Sequence, residues 1–120
     1  DGYWSNVWMK KPWGACYWGG RPTEDWMFST AYQGSASWND TFWKNDRFDE
    51  LLIMGRAETN RDTRRAIYYE MQQIVSEFGG VVVPMFANYV FATTDKVGHS
   101  AMAGNWDMDG AKYFERWWFV

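Results

Sequence analysis

Trp4, Trp8, Trp13 and Trp18 punctuate residues 1–22, and the 120-residue chain carries ten tryptophans in all. Aromatic side chains make up 21% of the sequence. Each buries ~150–250 Å² when enclosed, and a chain of this length can hide only some of them in a core of its own. Two readings follow. The rings pack against lobes outside this chain, or several of them line a ligand cleft. The two are compatible, because a cleft is walled by side chains that a core supports.

Charge excludes some partners. Net charge is −3, with both signs spread along the chain, so there is no basic patch or stripe for nucleic acid and no basic amphipathic face for a membrane surface. The longest apolar run, Gly79–Ala87, has strand length and is broken by Pro84. Nothing approaches the ~20 apolar residues of a membrane span. The single cysteine, Cys16, has no internal disulfide partner and reads as an inert buried thiol in an apolar strand.

Local signals divide the chain into elements. Ala15-Cys16-Tyr17-Trp18 has the pattern of a short buried strand, ended by Gly19-Gly20. Thr23 is an N-cap for a short helix from Glu24 to about Tyr32, with Glu24 and Asp25 suited to the positive end of its dipole. Asn45 or Asp46 caps the next helix, where Phe48, Leu51, Leu52 and Gly55 form one apolar stripe. Gly55 leaves room for another element to approach. Asn60 caps the longest helix, Arg61 to Phe78, with Ile67, Met71, Ile74, Val75 and Phe78 on one face. Gly79-Gly80 stops it. Val81-Val82-Val83 and Tyr89–Thr93 read as strands, residues 95–110 as surface loop, and Tyr113–Phe119 as a final apolar segment.

The order and spacing of three stretches over residues 17–92 resemble one known family. They are Trp18-Gly19-Gly20-Arg21-Pro22-Thr23-Glu24-Asp25, then Asn45-Asp46-Arg47-Phe48-Asp49-Glu50-Leu51-Leu52, and then Thr59–Arg65 followed by Tyr69-x-Met71-Gln72-x-Ile74-Val75 and Val82-Val83-Pro84-Met85-Phe86. Together they are similar to the C-terminal region of periplasmic solute-binding proteins of the oligopeptide/dipeptide-binding type, the bacterial extracellular solute-binding protein family 5. The resemblance implies an α/β, mixed α+β fragment of a two-lobed fold, with about three helices and several short strands. Residues 1–80 would be part of the C-terminal ligand-binding lobe, and residues 81–120 strands and a C-terminal segment returning to the other lobe.

It further implies a periplasmic substrate-binding component of an ABC-type importer, partnered by a membrane permease and closing two lobes on a small solute. That solute is a peptide, an opine-like conjugate or a small oligosaccharide. Tyr17, Trp18, Gly19, Arg21, Trp38 and Asn39 are the ligand-binding candidates. Peptide-binding members carry an Asp shortly after the aromatic strand to pair with an α-amino group. Gly19 holds that place here and cannot anchor an ammonium, while Arg21 favours an anionic or hydroxyl-rich group. An isolated fragment is expected to self-associate. The alternative is a stand-alone aromatic-rich carbohydrate-binding module, although such modules are mostly all-β.

No constellation points to catalysis, metal or a cofactor. His99 stands without a second His or Cys nearby. Asp107 and Asp109 beside Gly110 read as a surface turn and not a calcium loop. The carboxylates at helix starts are explained by the helix dipole.

Overall fold

The computed structural model describes residues 2–120. It is mixed: six α-helical segments, one π-helical turn and one two-stranded antiparallel sheet, among the described residues. The chain divides into two compact units. One comprises residues up to Gly19 together with Thr23–Val82, and the other comprises Gly20–Pro22 and Val83–Val120.

The first unit opens with α1 (Tyr3–Asn6). Next comes α2 (Glu24–Met27), whose Thr23 hydroxyl accepts the Trp26 N–H at 3.3 Å as an N-cap should. That helix runs into a π-turn over Phe28–Tyr32. The cause is local. Ser29 Oγ donates to the Asp25 carbonyl at 2.8 Å and Thr30 Oγ1 to the Trp26 carbonyl at 2.6 Å. Hydroxyls that reach back four residues compete with the helical ladder, and Gln33 N–H bonds instead five residues back, to Phe28 O at 2.9 Å.

α3 (Asp46–Ala57) and α4 (Arg61–Phe78) form a helical hairpin. Both caps are asparagines. Asn45 Oδ1 accepts Phe48 N–H at 2.9 Å, and Asn60 Oδ1 accepts Asp62 N–H and Thr63 N–H at 3.0 and 3.1 Å. Phe48, Leu51 and Leu52 from α3 meet Ile67 and Met71 from α4, and Phe28 completes the cluster. The ring of Tyr68 lies over Gly55, 3.1 Å from where a Cβ would stand. Tyr68 Oη donates to Asp25 at 3.1 Å, and the same carboxylate takes a bidentate pair from Arg56 at 2.8 and 3.1 Å. The start of α2 is thereby tied to the hairpin. The stripe on α4 fades toward its end: Ile74 and Val75 are half-buried and Phe78 is exposed.

In the second unit β1 (Val97–His99) pairs antiparallel with β2 (Trp117–Phe119), with Gly98 opposite Trp118. Between them lie α5 (Asp107–Ala111) and α6 (Tyr113–Arg116). α5 is irregular, since Met108, Asp109, Gly110 and Ala111 all have φ between 47° and 71°. Left-handed backbone costs a non-glycine residue ~1–2 kcal/mol. Asp109 secures it by accepting Ala103 N–H at 2.6 Å and Trp117 Nε1–H at 3.1 Å, and by pairing with Arg116 at 3.0 Å.

Five expectations are corrected. Ala15–Trp18, Val81–Val83 and Tyr89–Thr93 form no strands. A strand needs a partner for its ladder, and these segments find none among the described residues. Val82 and Val83 are accordingly exposed. The only strands described are β1 and β2, the first of them inside the stretch read as loop. Cys16 is exposed, not a buried strand thiol. Asp109 does lie in a turn, but at 2% exposure it is buried and not on the surface.

Candidate solute-binding surface

The first unit gathers most of the N-terminal aromatic residues around a single carboxylate. Asp40 Oδ2 accepts Trp8 Nε1–H at 2.9 Å, Trp18 Nε1–H at 3.1 Å and the Cys16 thiol at 3.3 Å. An indole donates one hydrogen bond and accepts none, so each such bond fixes the direction in which its N–H points. Trp38 then fills the space between the two fixed indoles. It packs edge-on to Trp8 at 6.3 Å and tilted against Trp18 at 6.2 Å. Trp4 extends the array, edge-to-face with Trp8 at 5.7 Å and with Tyr17 at 6.0 Å.

Tyr17 is 80% exposed, Trp4 53% and Trp38 51%. Large rings held at fixed angles with half or more of their surface in solvent are the main asset of this face. Aromatic planes of this kind stack on apolar, sugar or cationic groups.

The loop that presents Trp38 and Asp40 is braced from below. Asn39 is 4% exposed. Its amide donates to Trp43 O at 2.6 Å and Gln33 O at 3.3 Å, and its Oδ1 accepts the Thr41 hydroxyl at 2.8 Å. Asp49 on α3 accepts Gly34 N–H at 3.0 Å. The loop is thus tied to the helical hairpin, the most deeply packed part of the unit.

The six residues expected to bind ligand therefore separate. Tyr17 and Trp38 present open ring surface. Trp18 is half-buried and belongs to the frame around Asp40. Asn39 is committed to bracing the loop. Gly19 is exposed at the edge of the first unit, whereas Arg21 belongs to the second. Three residues of this surface were not among the expected ligand-binding set: Trp8 was noted only as one of the tryptophans of residues 1–22, Asp40 went unremarked, and Cys16 was taken as inert. No spacing rule connects positions 22, 24 and 32 apart along the chain.

The field of Asp40 is visible in its neighbours. Desolvation pushes the Cys16 thiol above its ordinary range, and the bond to Asp40 pushes it further. The phenols of Tyr3 and Tyr32 are raised by desolvation first and by Asp40 in addition. No cluster of three or more His, Cys, Asp or Glu suited to a metal ion occurs among the described residues. No helix among them is long and apolar enough to cross a membrane.

Comparison with protein-family models, with curated proteins and with solved structures returned no match.

Proposed function

We propose that this chain is part of the substrate-binding component of an ABC-type importer, capturing a small solute in the periplasm by hinge closure of two lobes. The observation that carries the solute-binding part of this reading is the array of exposed rings locked by Asp40. A surface that fixes Trp8 and Trp18 through their only donors, yet leaves Trp4, Tyr17 and Trp38 half or more in solvent, suits the reception of a ligand. The importer context rests on the ordered motifs over residues 17–92, which place the aromatic segment and the capped helices in the sequence order of the family they resemble. Within that context residues 1–80 supply part of one ligand-binding lobe. Closure of the second lobe would complete the walls around the solute, since binding sites of this kind enclose most of a ligand's surface.

Native mass spectrometry of the protein purified without denaturation tests this reading. A co-purifying small molecule at one per protein, released on unfolding, is expected. Protein that stays ligand-free after purification from cells grown in rich medium, and that binds no member of a panel of short peptides, opines and oligosaccharides, would contradict it.

A further inference from the structure

The proposed solute-binding reading leaves the charge of the solute open, and a cleft in the first unit addresses it. Tyr3, Trp4, Ala15, Cys16 and Tyr17 line a cleft of about 290 Å³. Ligand pockets typically run ~300–1,000 Å³, so this one has room for a small solute. Its walls are ring surface. Tyr3 stands edge-to-face with Trp4 at 5.1 Å, and Trp4 with Tyr17 at 6.0 Å. Tyr3 is fixed in turn by donating its hydroxyl to Ala15 O at 2.6 Å.

The faces of aromatic rings carry negative quadrupole density and attract cations lying within ~6 Å of the ring centre. A carboxylate adjoins the lining of the cleft. Cys16, one of its lining residues, touches Asp40 Oδ2 at 3.3 Å. All three donors to that oxygen are neutral. Among the described residues every ion pair lies elsewhere: Arg47, Arg56, Lys112 and Arg116 serve Glu50, Glu70, Asp25, Glu115 and Asp109, and none serves Asp40. Ring faces and carboxylate therefore act with the same sign on whatever enters the cleft. An anion is repelled, a neutral solute gains only contact area, and a cation gains from both.

We propose that this cleft takes a small organic cation, a primary or quaternary ammonium, on the ring faces of Trp4 and Tyr17 with Asp40 as the anion behind them. The inference rests on the solute-binding reading and reverses the anionic preference that Arg21 suggests from sequence. Arg21 is not among the residues that line the cleft, and the charge next to its lining is that of Asp40.

The test is a calorimetric titration of the native protein with choline and with 3,3-dimethylbutan-1-ol, which has the same shape with carbon in place of the charged nitrogen. Choline is expected to bind roughly tenfold more tightly. Asp40→Asn should erase most of that preference, because the amide oxygen can still accept from the two indoles while the charge is gone. Tyr17→Ala, at a site exposed enough to leave the fold intact, should weaken choline by a similar factor even if Asp40→Asn fails to fold. Equal affinity for the two probes overturns the cation and leaves an aromatic site for neutral solutes standing. Failure of both to bind overturns this cleft as a cation site, whether or not a solute co-purifies with the protein. A choline preference that survives in Asp40→Asn overturns the part assigned to the carboxylate.

Discussion

Asp40 and Tyr68 show how single polar groups govern distant parts of the first unit. Asp40 orients two indoles and a thiol with one oxygen, so its charge has a chemical signature at Cys16. The thiol is exposed and free but held above its ordinary pKa of 9.0. Reactivity follows the thiolate. The pH profile of iodoacetamide alkylation at Cys16 should therefore have its midpoint above 9.0, and Asp40→Asn should move it down. A midpoint that does not move would show that Asp40 exerts no field on the sulfur. Tyr68 has its phenol pushed up to about 12 by desolvation, with Asp25 adding to the effect. The fold holds the neutral form, while the unfolded chain releases the proton near 10.0. This contribution is complete below the unfolded value and is lost as pH rises from there toward about 12. Denaturant unfolding across that window should fall less steeply with pH in Tyr68→Phe than in the parent. An unchanged slope would show that the phenol titrates alike in both states.

At the scale of elements, the helices were legible because their signals are local. Thr23 and Asn60 each cap the helix they were expected to cap, Asn45 and not Asp46 caps α3, and Gly55 does admit a neighbour, Tyr68. The apolar stripe of α4 was legible in direction but not in extent. Periodicity alone assigns Phe78 to the same face as Met71, yet Met71 is fully buried and Phe78 is 64% exposed. The core that covers the stripe ends near Val75. Met71→Ala should cost about 2–5 kcal/mol, the range for emptying a packed site, and Phe78→Ala about 0.5 kcal/mol or less. Equal costs in denaturant melts would mean that Phe78 is covered in solution. Strands were poorly legible for the opposite reason, since pairing is not local. Val81–Val83 has the composition of a strand and no partner, whereas Val97–His99 has a glycine at its centre and pairs because Trp118 lies across Gly98. The ring surface around Asp40 was legible in its ingredients, through Tyr17, Trp18 and Trp38, and hidden in its organising residue.

The whole molecule has an unequal distribution of core. The first unit has a buried apolar cluster. In the second no described apolar residue is buried, and Met85, Phe86, Val90 and Phe119 are 74–91% exposed. Contiguous exposed apolar surface beyond a few hundred Å² is rare in soluble monomers. The isolated chain should therefore self-associate and bind a hydrophobic dye, as sedimentation and 1-anilinonaphthalene-8-sulfonate fluorescence would register. A compact, dye-silent monomer would contradict the exposed surface described for the second unit. The central claim, that the ring surface of the first unit holds the solute, is tested most directly by calorimetric titration of the intact protein with its co-purifying solute. Tyr17→Ala and Trp38→Ala should each weaken binding by about 1–2 kcal/mol with little change in melting temperature, and Phe86→Ala, a still more exposed ring in the second unit, should leave it unchanged. Unaltered affinity in both first-unit variants, or an equal loss in Phe86→Ala, would contradict it.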